Sequence, residues 1–136
     1  MSKLFIDTGA FLARELTHDQ HHSAATEGWQ MLADSDDRLF STEHVLDETI
    51  TLLARRESYA FAAECAATYL QSKAIEWLRP GMDDYNKAVK LMRKYADQSV
   101  SFTDCISFVL MRRESITRIF GFDRHFQAAQ FRLWPA

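Results

Sequence analysis

Apolar runs only a few residues long, each leading into a helix-forming stretch, constrain this chain more than any other feature. Leu4-Phe5-Ile6 is the first, and it is stopped by Asp7. A run this short, bounded by turn residues, predicts a buried strand. After it Ala10, Phe11, Leu12, Ala13 and Leu16 favour a helix, and Thr8 offers an N-cap. A second helix is predicted over 20–33, with Ala24, Ala25, Trp29 and Leu32 on its apolar face, broken by Asp34-Ser35-Asp36-Asp37. Residues 38–42 predict a strand that runs into a helix cap. Helices follow over 43–56 and 58–71, then a strand over 74–78 stopped by Arg79-Pro80-Gly81. Residues 82–96 predict an amphipathic, basic helix, and Ser101 opens another that runs to about Arg113. Residues 117–122 predict a strand ended by Asp123, and 132–134 a short last one. Strands alternating with helices predict an α/β layer fold with a mainly parallel sheet, whose functional crevice lies at the carboxyl ends of the strands. At 136 residues, with no repeat and no linker, the chain 1–136 is expected to form a single domain.

Charge and cysteine content narrow the class. Cys65 and Cys105 sit in apolar stretches with no metal-type spacing, as expected of reduced, buried thiols in a cytoplasmic protein. The start MSKLFID meets an aspartate at once and so lacks the pattern of a signal segment, and no apolar run approaches membrane-spanning length. The net charge of −3 argues weakly against a nucleic-acid partner, but it is unevenly spread. Residues 1–50 hold ten acids against three bases, and residues 51–136 nine acids against 13 bases. Acids that hold cations and bases that hold phosphates can share one molecule; plain solvated surface accounts for the split equally well.

Four carboxylates stand out by position. Asp7 and Asp123 each follow an apolar strand, and so project at one edge of a parallel sheet. Asp104 lies at a helix start, where Ser101-Phe102-Thr103-Asp104 also reads as a capping box. Glu48 flanks the apolar stripe of helix 43–56, with Asp47 a competitor that periodicity disfavours only slightly. Brought together, such groups repel and raise one another's pKa unless a cation compensates. Mg²⁺ or Mn²⁺ are the natural cations for a cluster of carboxylate oxygens, and a metal pair of this kind suits phosphodiester hydrolysis.

The stretches FIDTGAFLA, STEHVLDETITLLARR, DQSVSFTDCISFVLMRR and ITRIFGFDRHF resemble, in order and spacing, those of PIN-domain proteins, close to the VapC-type toxins of bacterial toxin–antitoxin pairs. FTDCISF and FGFDRHF are the most specific pieces. The resemblance implies a PIN-like three-layer fold, a central four- or five-stranded mainly parallel sheet flanked by helices. It implies an endoribonuclease dependent on Mg²⁺ or Mn²⁺ that cuts single-stranded or looped RNA, a cognate antitoxin protein and a homodimer. Carried over by position, it makes Asp7, Glu48, Asp104 and Asp123 the metal-binding catalytic acids. Thr8 and Ser101 become supporting hydroxyls, and Asp97 a further candidate acid.

DTGA is also how aspartic proteases present a catalytic aspartate. Those enzymes need two such motifs sharing one proton, and this chain has one, leading into a helix-forming run. A signalling receiver domain would share the size and an acidic Mg²⁺ pocket, but would need paired aspartates near the first strand and a lysine after a late one. A PIN-fold module that only binds RNA or protein is the remaining alternative. Arg112, Arg118 and Arg124 lie near the ends of acid-bearing elements and could grip RNA phosphates. Arg55-Arg56 and Arg112-Arg113 equally suit helix C-termini. Lys87, Lys90, Arg93 and Lys94 read as a solvated helix face. His18, His21 and His22 lack a defensible zinc spacing, and His125 could touch substrate or be structural. Phe61, Cys65 and Tyr69 form a stripe suited to the core or to a second copy.

Overall fold

The computed structural model describes residues 2–136. Its strands are β1 (Lys3–Ile6), β2 (Arg38–Thr42), β3 (Ile75–Leu78), β4 (Arg118–Phe120) and β5 (Arg132–Trp134). They form one five-stranded sheet in the order β3-β2-β1-β4-β5, parallel throughout. Among the described residues there are seven α-helices: α1 (Thr8–Glu15), α2 (His22–Ala33), α3 (Glu43–Arg56), α4 (Tyr59–Gln71), α5 (Met82–Lys94), α6 (Phe102–Arg113) and α7 (His125–Ala128).

The register sorts the strand side chains onto two faces. Phe5 pairs with Phe40 on one side and Ile119 on the other, so these three share a face. That face meets α6 and α7, where Phe126 lies 6.5 Å from Phe5 and 5.0 Å from Phe108. Ile6 and Phe120 share the opposite face. Here Trp29 of α2 contacts Phe120, and Phe11 of α1 contacts Trp29, Tyr69 and Trp77. Helices therefore cover both faces of a sheet whose central strand is fully buried from Leu4 to Ile6, as a continuous apolar run requires. Gly28 lets α2 approach the sheet: a Cβ there would stand 2.6 Å from Phe120 Cζ.

Most predicted elements stand within a residue or two of their expected bounds. The strand predicted over 117–122 is only β4, and Gly121-Phe122 form a bend before Asp123. The helix predicted to reach 96 ends at Lys94, followed by a 3-10 turn, Ala96–Gln98. On α2 the inward residues are Ala25, Gly28 and Leu32; Ala24 is exposed. The Phe61, Cys65, Tyr69 stripe turns inward, with Cys65 and Tyr69 buried and Phe61 against the core. Both cysteines are free and buried.

Candidate metal centre

Parallel strands point their carboxyl ends one way, and the chain leaves that edge of the sheet through the candidate acids. Asp7 follows β1 directly, and its N–H donates to the Phe120 carbonyl at 3.0 Å. The residue is thus pinned to β4 by its backbone while its carboxylate, buried, faces forward. Asp7 occupies the N-cap position of α1 without a side-chain cap bond. The cap expected from Thr8 is not made. Thr8 lies inside the helix, and its hydroxyl donates to Glu48 Oε1 at 2.7 Å, joining α1 to α3. Glu48 projects from α3 into the cleft, whereas Asp47 points outward and is exposed. Ser101 caps α6 by accepting the Asp104 N–H at 3.1 Å. Asp123 sits beyond β4, its Oδ1 accepting the His125 N–H at 2.9 Å.

These side chains line one cleft of about 400 Å³. Asp7, Thr8, Glu48, Ser101, Asp104 and Asp123 all reach it, joined by Ser99, Phe122 and His125. No lysine or arginine is among the residues that line it. Burial pushes the Asp7 carboxyl well above its usual range, the Asp104 charge adds to this, the Thr8 N–H opposes it, and Glu48 and Asp123 raise it further. Asp104 is pushed up to about 7, first by burial, then by the charge and hydrogen bonding of Asp123 and the charge of Glu48, with His125 opposing. Donor atoms of Asp104, Asp123 and His125 lie within 4.8 Å of one another. Crowded carboxylates with no basic side chain other than one histidine fit a divalent cation, which would return them to the charged form.

Three expected residues lie elsewhere. Asp97 is exposed in the 3-10 turn and does not line the cleft. Arg118 begins β4, so it stands at the amino-terminal edge of the sheet, across the fold from the acids. Its guanidinium donates to Asp37 Oδ1 at 3.1 Å. Arg112 is eight positions beyond Asp104 on α6, about 12 Å of helix rise. It donates to the Ala129 carbonyl and lies over the Phe131 ring. Arg124 is exposed beside Asp123. His22 Nδ1 meets the Ala13 carbonyl at 2.7 Å and His21 stacks on Phe122 at 4.2 Å, so neither is part of a zinc set.

Several site residues carried no usable signal in the sequence. Ser99 reaches the cleft through a left-handed backbone, φ 54°, that its neighbours do not announce. Gly121 packs where a Cβ would stand 3.0 Å from Asp7 Cβ, so a side chain there would press on the first acid. The FGF pattern reads simply as strand, which hides both Gly121 and Phe122.

A parallel sheet between helix layers, with acids converging at its carboxyl edge, defines the protein class. The family model of the PIN domain matches residues 4–132, and the chain belongs to that family. Among known proteins it is 30% identical over 129 residues to the 23S rRNA-specific endonuclease VapC20 of Mycobacterium tuberculosis, in both strain CDC 1551 and strain H37Rv, covering 94% of this chain and 95% of the relative. The crystal structure of M. tuberculosis VapC20, described as a sarcin–ricin loop cleaving toxin, superposes with a TM-score of 0.85 over 94% of this chain and 95% of that one.

Proposed function

We propose that this chain is a divalent-metal-dependent endoribonuclease and the toxin of a toxin–antitoxin pair, with residues 1–136 as one nuclease domain. The observation that carries the reading is the convergence of Asp7, Glu48, Asp104 and Asp123 on one cleft without a lysine or arginine. Asp7 and Asp104 are its buried members and would hold the ion most rigidly. Glu48 is oriented by the Thr8 hydroxyl, and Asp123 by the His125 N–H. Mg²⁺ or Mn²⁺ bound there supplies Lewis-acid stabilisation of the phosphoryl group and lowers the pKa of an attacking water. The protein's part is to fix the donors before substrate arrives and to accept the scissile phosphate in a cleft whose acids would repel it if uncompensated. Arg124, exposed at the rim, is placed to meet a neighbouring phosphate.

The likeness to VapC20 makes the sarcin–ricin loop of 23S rRNA the first substrate to try. A toxin relative also supports an antitoxin protein partner; a homodimer is proposed on the family resemblance alone. An RNA substrate suits the cytoplasm, and among the described residues no helix is long and apolar enough to cross a membrane. A non-catalytic PIN-fold module is the second reading, and the same experiment separates the two. Purified protein is incubated with labelled loop RNA and with a mixed RNA pool, with Mg²⁺, Mn²⁺ or EDTA. Cleavage is expected only with metal, and Asp7→Asn lowers its rate about 100-fold or more. A folded, metal-loaded protein that binds both RNAs and cuts neither supports the binding module instead.

A further inference from the structure

His125 stands among the acids with an unanswered nitrogen. Its Nδ1 is shielded from solvent and makes no hydrogen bond. A polar atom so enclosed normally finds a partner, because leaving it unpaired forfeits its hydration with nothing in return. The nearest acceptors are Asp123 Oδ1 at 3.2 Å and Asp104 Oδ2 at 3.8 Å, close but not aligned for a hydrogen bond. The position is not accidental slack. His125 opens α7, and the next residue, Phe126, is fully buried and anchors that helix against Phe5 and Phe108. The backbone N–H of His125 donates to Asp123 Oδ1, so carboxylate and imidazole are set in one frame. Adjacent ligands of an octahedral ion at 2.0–2.1 Å stand about 3 Å apart. The 3.2 Å and 3.8 Å separations of His125 Nδ1 from Asp123 Oδ1 and Asp104 Oδ2 lie between the adjacent and opposite ligand spacings of one ion, and donor atoms of all three residues gather within 4.8 Å.

We propose that His125 supplies Nδ1 as a nitrogen ligand to the ion held by Asp104 and Asp123. The centre is then a mixed oxygen–nitrogen site that favours transition ions such as Mn²⁺ over Mg²⁺. Mg²⁺ is a hard ion that takes oxygen ligands and keeps its waters, whereas a nitrogen donor favours the divalent first-row transition ions, of which Mn²⁺ gains least. The inference rests on the metal-nuclease reading above and adds the ligand set and its selectivity. Its rival is a protonated imidazole that simply offsets the charge of two carboxylates. Both put a ring beside the acids, but only ligation puts nitrogen on the metal.

The full chain, stripped of metal, is loaded with Mn²⁺ alone and examined by pulsed electron paramagnetic resonance for ¹⁴N coupling. Calorimetry gives Mn²⁺ and Mg²⁺ affinities. Directly bound imidazole nitrogen is expected in the wild type and absent in His125→Phe, which keeps a ring of similar size. Mn²⁺ affinity falls by at least roughly the tenfold that loss of a ligand's outer partner already causes, and Mg²⁺ affinity changes several-fold less. Mn²⁺ bound to the wild type without nitrogen coupling overturns the proposal, as does coupling that persists in the variant. Should His125→Phe not fold, His125→Asn carries the same comparison. Wild-type protein that binds no Mn²⁺ sinks the metal-nuclease reading and this ligand with it. Mn²⁺ held through oxygen alone sinks only the histidine.

Discussion

The Thr8 hydroxyl bonds across to a neighbouring helix instead of capping its own. A threonine after an aspartate at a helix start is a natural cap, yet here the helix begins without a side-chain cap and Thr8 reaches across to Glu48. The bond is charge-assisted and short, 2.7 Å, and it fixes one oxygen of a carboxylate that comes from a different helix. Thr8→Val keeps the shape of a buried side chain and removes only the donor. It is expected to lower stability by about 1–2 kcal/mol in denaturant unfolding. The cleavage rate at saturating metal should fall with it, because Glu48 is freed to turn. Thr8→Ser keeps the hydroxyl and restores most of the rate. Equal rates for Thr8→Val and the wild type would mean that Glu48 needs no such tether.

At the scale of elements, the site depends on where helices begin. Ser101 holds the first turn of α6 by accepting the N–H of Asp104, so the cap and the acid share one residue's backbone. Ser101→Ala is expected to cost about 1 kcal/mol of stability and to slow cleavage by loosening Asp104, with Ser101→Thr restoring both. A variant with lost stability and unchanged rate would show that the cap serves only the helix. The same helix explains what could be read from sequence. S-x-x-D told of a cap and an acid together: Ser101 caps the helix and Asp104 lines the cleft. Asp7 was legible because an apolar run that stops at a carboxylate leaves the acid at the strand's exit. Asp123 was legible for the same reason, although β4 ends three residues sooner and a bend carries the acid to the cleft. Of the arginines, Arg124 stands exposed beside Asp123 as its position suggested, whereas Arg112 is turned to the Ala129 carbonyl far along α6 and Arg118 lies at the amino-terminal end of its strand. Arg118 begins β4 and pairs with Asp37 at the far edge, the end of the strand opposite to the one that Asp123 leaves. Helix α7 is four residues long, too short for a period to emerge, and so the Asp123–His125 frame stayed hidden.

The whole molecule carries the electrical cost of its site. Asp7 and Asp104 are held above the ordinary carboxylate range chiefly by burial, with neighbouring acids adding to it. A carboxyl whose folded pKa is raised binds protons more readily folded than unfolded, so its contribution to stability is complete at low pH and is lost as pH rises. For Asp104 the loss spans the interval from its ordinary value, 3.8, to about 7. Metal-free protein should therefore lose stability between pH 5 and pH 8 more steeply than Asp104→Asn, which has no proton to release there. A divalent ion opposes the loss, since it binds the folded, deprotonated site and stabilises it by about 2.7 kcal/mol at a hundredfold excess over Kd. The gain grows with pH as protons stop competing for the same oxygens. Guanidinium unfolding of both proteins at pH 5 and pH 8, with EDTA or with saturating Mn²⁺, checks the argument. The wild type should show a steep decline that metal largely removes, and Asp104→Asn a shallower one that metal barely changes. Identical slopes in the two proteins would mean that Asp104 is already charged in the folded chain at pH 5. The cleft would then have to meet its crowding by solvent or by His125 rather than by an ion.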